Sequence, residues 1–196
     1  MKQLLKSGLR GLLLTAFRVI YRVRIRNREL VPESGGVLLT PNHVTYIDAF
    51  ILSVATPRPV RFMMGREWYE NRWIHPWAVL FGCISVSQAR AKDAIRKAVE
   101  ALQAGDVVCI FPEGNLTGDG GLRELQRGYQ MIAKKAGVPV LPARMSGLWG
   151  SAFSRAEGGR IARAIRTVLR GVEVEFSPVL DAGDANVERL EQRLAG

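Results

Sequence analysis

Short runs of strand character alternate with stretches of helical period along this 196-residue chain, and that alternation leaves few folds open to it. "YRVRIR" (21–26) puts Tyr21, Val23 and Ile25 on one face and Arg22, Arg24 and Arg26 on the other, the pattern of a half-exposed strand with a basic outer face. Further strand-like runs stand at 36–40 (GVLLT), 60–64 (VRFMM), 83–87 (CISVS), 106–111 (DVVCIF), 138–144 (VPVLPAR) and 172–176 (VEVEF). Between them, Ala91, Ala94, Ile95, Ala98, Val99 and Leu102 keep helical spacing ahead of Gly105. Leu122, Leu125, Tyr129, Ile132, Ala133 and Ala136 repeat the pattern, with Gly137 in the cap position. The alternation predicts a single α/β domain with a central mixed, largely parallel sheet flanked by helices. Pro139 and Pro142 predict that the 138–144 strand lies at an edge or is irregular. A chain of this length buries a core without disulfide or metal staples. Cys83 and Cys109, each inside an apolar run, read as buried free thiols of a reducing compartment.

The net charge of +10 is concentrated in two places. Residues 1–30 carry Lys2, Lys6, Arg10, Arg18, Arg22, Arg24, Arg26 and Arg28 against Glu29 alone, and 155–170 carry five arginines against Glu157. Such patches attract polyanions: phosphates, nucleic acid or anionic lipid. In the first patch the basic residues interleave with Leu4, Leu5, Leu9, Leu12, Leu13, Phe17 and Ile20. Its apolar stretches fall far short of the roughly 20 residues of a membrane span, and no signal-peptide cleavage pattern follows. Residues 1–19 therefore read as a basic amphipathic helix that associates with an anionic membrane surface, packs a leucine face on the domain, or both, ahead of a domain at 20–196. Nucleic-acid binding calls for exposed aromatics among the basic residues or a groove-reading helix, and neither pattern is present.

Two loops carry candidate chemistry. In "TPNHVTYIDAF" (40–50), Pro41 and Asn42 end a strand and "IDAFILSVA" begins a helix, so His43 lies in a strand-to-helix loop and Asp48 in the first helical turn. A carboxylate is favoured there by the helix dipole. Folded back, it would accept a hydrogen bond from one imidazole nitrogen and leave the other as a base. In "DVVCIFPEGNLTGDGG" (106–121), Pro112 stops a strand, Glu113 follows, and Gly114 frees the backbone ahead of a flexible glycine-rich loop. Two strands that each end in a proline and an acid-bearing loop would share a cleft at the carboxyl ends of the sheet, the usual ligand edge of an α/β fold. The alternative for the second loop, read alone, is a long surface turn with Glu113 solvated. His75 has no ligand set around it and reads as structural, and no metal is implied.

Four ordered blocks, Asn42-His43…Asp48, Gly82-Cys83-Ile84, Phe111-Pro112-Glu113-Gly114 and Val138-Pro139…Pro142, resemble the glycerolipid acyltransferases of the lysophosphatidic acid acyltransferase type. The similarity covers about residues 20–150, and the wording of "YRVRI", "LLTPNHVTYIDA", "FPEGNLT" and "GLWGSAFSR" is closest to the acyltransferase part of 2-acylglycerophosphoethanolamine acyltransferases. The resemblance implies a lysophospholipid O-acyltransferase, acting peripherally on the cytoplasmic face of a membrane. Its acceptor would be a lysophospholipid, 1-acylglycerol 3-phosphate or lysophosphatidylethanolamine, and its donor an acyl thioester of CoA or acyl carrier protein, with no other cofactor. His43, oriented by Asp48, would be the general base; Asn42, Glu113 and Gly114, with Arg66 and Arg90, would bind substrate. Cys83 and Cys109 look buried and no nucleophile-elbow motif occurs, which favours direct transfer without an acyl-enzyme.

This chain departs from the family pattern in two places. The block usually written E-G-T-R reads Glu113-Gly114-Asn115-Leu116, and the middle block ends Ser85-Val86-Ser87-Gln88 without its arginine. Both missing arginines are expected to hold the acceptor's phosphate, which favours a singly charged phosphodiester headgroup unless Arg66, Arg90, Arg123 or Arg127 substitutes. The Trp-rich segment 66–81 would wall the acyl groove, meet the bilayer interface or pack in the core. A catalytically idle membrane-associated relative is the alternative in the same family, and turnover separates the two.

Overall fold

The computed structural model describes residues 2–157 and 171–195. All the strand-like runs enter one sheet: β1 (Val23–Arg26), β2 (Val37–Pro41), β3 (Val60–Gly65), β4 (Ile84–Val86), β5 (Val107–Cys109), β6 (Val140–Ser146) and β7 (Val172–Phe176), in the order β1-β7-β6-β2-β5-β3-β4. Every neighbouring pair is parallel except β6 with β7. The helices among the described residues are α1 (Lys2–Ile20), α2 (Asp48–Ala55), α3 (Arg66–Tyr69), α4 (His75–Leu80), α5 (Ala91–Gln103), α6 (Gly128–Ala136) and α7 (Val187–Ala195). The architecture is the single α/β domain with a mostly parallel sheet that the alternation predicts.

β2 lies at the centre, buried at every position. Its alternate side chains feed two cores, as the two-residue period of a strand requires. Leu39 joins Ile51 and Leu52 of α2 on one face; Leu38 joins Ala98 of α5, Tyr129 of α6 and Leu190 of α7 on the other. Because helices cover both faces, only the strand ends remain for chemistry. β2 and β5 run parallel with Leu39 opposite Cys109, so the loops after them emerge side by side.

The structure differs from the sequence reading at three points. β6 is interior rather than an edge, flanked by β2 and β7. Pro142 is tolerated because its carbonyl accepts from Ser177 N–H beyond the last β6–β7 pair, Ala143–Phe176, so its missing N–H faces a side where the β7 ladder has ended. α6 starts at Gly128, leaving Leu122 and Leu125 outside it, because the backbone there is tied to the neighbouring loop: Gln126 N–H donates to the Pro112 carbonyl and Arg123 N–H to the Glu113 carboxylate. Cys109 is buried, and its thiol is pushed well up by burial, but Cys83 is only partly covered; neither is in a disulfide.

α1 packs on the domain through Leu14 and Phe17, the latter stacked on Phe50 of α2 with ring centroids 4.8 Å apart, while Leu12, Val19 and Ile20 stay exposed. No helix among the described residues is long and apolar enough to cross a membrane. Arg160, Arg163, Arg166 and Arg170, the second basic patch, lie outside the described residues.

Candidate active site

The loop after β2 folds back onto the start of α2, and its own backbone does the work. Asp48, fully buried at the first position of α2, accepts from four groups. Val44 N–H reaches Oδ2 at 2.7 Å, Thr45 N–H is shared between both oxygens at 3.0 and 3.1 Å, and the Thr45 hydroxyl donates to Oδ1 at 2.5 Å. The fourth is the His43 ring: Nδ1 lies 2.9 Å from Oδ2. A carboxylate with these donors, at a helix N-terminus, has its desolvation offset. Because Asp48 can only accept here, Nδ1 carries the imidazole proton and Nε2 is left as the basic atom. The ring plane is fixed a second time by Phe111, stacked 3.8 Å away centroid to centroid at 19°. The His43 side chain keeps 21% of its surface, so the base is reachable by a substrate while Asp48 is not.

Glu113, expected to meet substrate, is engaged with the main chain. It is buried, and its two oxygens clasp two backbone amides: Oε1 accepts His43 N–H at 2.6 Å and Oε2 accepts Arg123 N–H at 2.9 Å. Burial pushes its carboxyl above the usual range, and the two amide donors pull it partly back. Thr117 N–H donates to the His43 carbonyl at 2.9 Å, so both main-chain polar groups of His43 are held by the loop after β5. Gly114 makes the turn between these contacts at φ +69°, a left-handed conformation that favours glycine. The glycine-rich part is an ordered turn: Thr117 Oγ1 donates to Asp119 and accepts Gly120 N–H.

Asn42 is also engaged with backbone. Its amide oxygen accepts Met145 N–H at 2.7 Å and its Nδ2 donates to the Met145 carbonyl at 3.0 Å, extending the β2–β6 pairing by one side chain. Arg66, the first residue of α3, is exposed and ion-paired with Glu70 at 2.7 Å; Arg90 is exposed at the end of a short 3₁₀ turn. Among the described residues, no hydrogen bond joins either arginine to the His43 loop. The structure thus brings together Asn42, His43, Asp48, Glu113 and Gly114, while Arg66, on the helix whose Trp68 packs against Tyr46 of the His43 loop, points its guanidinium to Glu70. His75 is structural in its contacts, with Nδ1 2.9 Å from the Tyr69 carbonyl.

Sequence reasoning missed three contributors. Thr45 and Phe111 lie inside the quoted motifs, but nothing in spacing assigns a hydroxyl or a ring to them. Arg155 entered only through the basic patch and as the end of "GLWGSAFSR", with no role of its own. Its Nη1 lies 3.5 Å from the Leu116 carbonyl oxygen, and Arg123 Nη1 lies 3.5 Å from the same atom. The loop carrying Arg155 is bridged to the His43 loop by the Thr45–Ser154 pair and by Tyr46 N–H donating to the Phe153 carbonyl. Beside the site, Tyr46 and Trp68, both exposed, pack 5.2 Å apart and lead to the exposed Trp73 and Trp77.

Residues 22–146 match the acyltransferase family. The chain is 25% identical over 174 residues to the 1-acyl-sn-glycerol-3-phosphate acyltransferase of Bacillus subtilis, covering 88% of this chain and 86% of that one. It is 29% identical over 143 residues to the human 1-acyl-sn-glycerol-3-phosphate acyltransferase alpha, covering 69% of this chain and 50% of the human protein. Among solved structures it superposes on the 1-acyl-sn-glycerophosphate acyltransferase PlsC of Thermotoga maritima with a TM-score of 0.69 over 95% of this chain and 76% of that one; at 21% identity, this shows the shared fold.

Proposed function

Since the chain belongs to the acyltransferase family, we propose that it transfers an acyl group from a thioester of CoA or acyl carrier protein to the free hydroxyl of 1-acylglycerol 3-phosphate. The observation that carries the reading is His43 with its Nδ1 fixed on buried Asp48 and its ring accessible at the carboxyl end of β2. In the reaction, Nε2 takes the proton of the acceptor hydroxyl as that oxygen attacks the thioester carbonyl. The tetrahedral intermediate collapses, the carbon–sulfur bond breaks, and the imidazolium returns its proton to the departing thiolate, leaving an ester and a free thiol. General-base help of this kind contributes about 10²–10⁴-fold. Cys109 is buried and bears a raised thiol pKa, which supports direct transfer over an intermediate bound to that cysteine.

The same reading places the protein peripherally on the cytoplasmic face of an anionic membrane. Its support is the exposed apolar surface of α1, the basic residues around it and the aromatic surface leading from Tyr46 to Trp73, which is 71% exposed. An acceptor lipid would then reach the base without leaving the interface.

The test is transfer of a labelled acyl chain to lysophosphatidic acid and, in parallel, to lysophosphatidylethanolamine, with wild type beside His43→Ala. Transfer to lysophosphatidic acid that drops at least about 10²-fold in the variant is the expected result. Activity that survives His43→Ala overturns the mechanism. A folded wild type that acylates neither lipid in the presence of anionic vesicles points to an idle relative.

A further inference from the structure

We propose that Arg123 and Arg155 form a two-arginine clamp for the acceptor's phosphate, in place of the arginine that the family block carries where this chain has Leu116; the proposal rests on the acyltransferase reading. Leu116 itself is buried and apolar. Above its carbonyl oxygen two guanidinium groups converge from different loops, each with Nη1 3.5 Å away. The two nitrogens are therefore no farther apart than twice that distance. With charge-assisted bonds of about 2.7–2.9 Å, one phosphate group bridges such a gap.

Among the described residues neither arginine makes an ion pair. Asp119, whose carboxylate accepts from Gly121 N–H at 2.9 Å and from the Thr117 hydroxyl at 3.0 Å, lies close enough to offset part of the Arg123 charge without forming an ion pair with it. Two like charges held against one neutral oxygen repel each other, and an anion placed between them relieves that repulsion. Each guanidinium spends one donor on Leu116 and keeps the others for a ligand.

The pair is also tied to the base by three independent links. The peptide group that offers the Leu116 carbonyl to the arginines donates its other end, Thr117 N–H, to the His43 carbonyl. Arg123 N–H sits on Glu113, whose second oxygen holds His43 N–H. Arg155 follows Ser154, which is bridged to Thr45. The backbone that carries both arginines is thus anchored to the His43 loop, as positioning a headgroup for attack requires, while their side chains stay exposed to an incoming lipid. Two guanidinium charges match the dianion of a phosphomonoester better than the monoanion of a phosphodiester carrying its own ammonium. The missing family arginine therefore does not exclude lysophosphatidic acid as acceptor.

The experiment measures equilibrium binding of labelled lysophosphatidic acid in neutral-detergent micelles, and initial rates with the same lipid, for wild type, Arg123→Gln, Arg155→Gln, both lysine variants and Lys134→Gln, a control at an exposed position of α6. The two arginine-to-glutamine variants are each expected to weaken binding and raise KM about 10- to 100-fold, with kcat little changed. The lysine variants recover part of the loss, and Lys134→Gln behaves as wild type. Lysophosphatidylethanolamine loses less than lysophosphatidic acid. The proposal is overturned if both glutamine variants, shown folded by thermal melting, bind lysophosphatidic acid as wild type does. It is equally overturned if they lose only adsorption to phosphatidylglycerol vesicles, since the arginines then serve the bilayer. Arginine-dependent binding without turnover supports the clamp while defeating the catalytic reading, so the two failures are separable.

Discussion

Asp48 and Glu113 are both buried carboxylates, both sit in loops at the carboxyl ends of neighbouring strands, and both hold His43. They hold different parts of it. Asp48 takes the ring and so fixes which nitrogen is basic; Glu113 takes the main-chain N–H and so fixes where the residue stands. Their donors also differ in origin. Those of Asp48 come from three to five residues upstream in a closed local turn. Those of Glu113 lie 70 residues before it and 10 after it and meet only when β2 and β5 pair. The proton's place is thus set locally, and the position of the base by the tertiary fold.

The largest effect is expected at the local end. Asp48→Asn keeps the shape but turns an amide group toward donors that need acceptors, the Val44 and Thr45 N–H groups and His43 Nδ1–H. The imidazole then sheds its Nδ1 proton to accept from the amide, and Nε2 carries the proton instead. Turnover should fall by about 10³–10⁴-fold, the scale seen when a carboxylate that fixes a histidine tautomer is lost, with lipid binding retained. A loss no greater than about tenfold in kcat would show that Asp48 serves the fold alone.

Glu113→Gln is the matching test of position and should cost less, about 10- to 100-fold in kcat, the range of a small misplacement of a reacting group. It carries its own pH signature. Burial raises the folded-state pKa of Glu113 above its ordinary 4.5, so the folded protein binds this proton more tightly than the unfolded chain. Stability is therefore lost as pH rises from 4.5 through the raised value, and that loss is complete above it. The glutamine variant lacks this dependence. The Tm difference between variant and wild type should move in the variant's favour over that window; a pH-independent difference would mean the carboxylate gains as much from its two amides as burial takes away.

The same local–tertiary divide explains what could be read from the sequence. The strands, their largely parallel sheet and the His43–Asp48 pair follow from periodicity and a short turn, and all are visible in consecutive residues. Pro142 misled because proline's cost depends on which side of the strand its missing N–H faces, a fact set by where β7 ends. Leu122 and Leu125 kept helical spacing, but hydrogen bonds from their neighbours to Pro112 and Glu113 hold that backbone out of α6. Glu113 was visible as a site residue; its two backbone partners were not, since a motif names a side chain and not what it bonds to. Arg155 could be found only by folding the chain.

The mildest perturbation tests whether the loop after β5 can shift without moving the base. Gly120 sits at φ +90°, and a Cβ placed on it would come 2.7 Å from Cγ of Trp149, an indole packed against the core that has little room to yield. Gly120→Ala should therefore push the 117–121 turn outward, at a cost of about 1–2 kcal/mol for the left-handed conformation and the displaced contact. The Asp48 cluster is closed within its own turn and should not feel the shift, so kcat should hold. The Leu116 carbonyl and Arg123 flank the displaced turn on either side, so KM for lysophosphatidic acid should rise by about threefold to tenfold, a fraction of a charge-assisted hydrogen bond. If kcat instead falls as far as in Glu113→Gln, the Thr117–His43 link is stiff enough to drag the histidine with the turn. The base would then be positioned by the whole loop rather than by the Glu113 clasp.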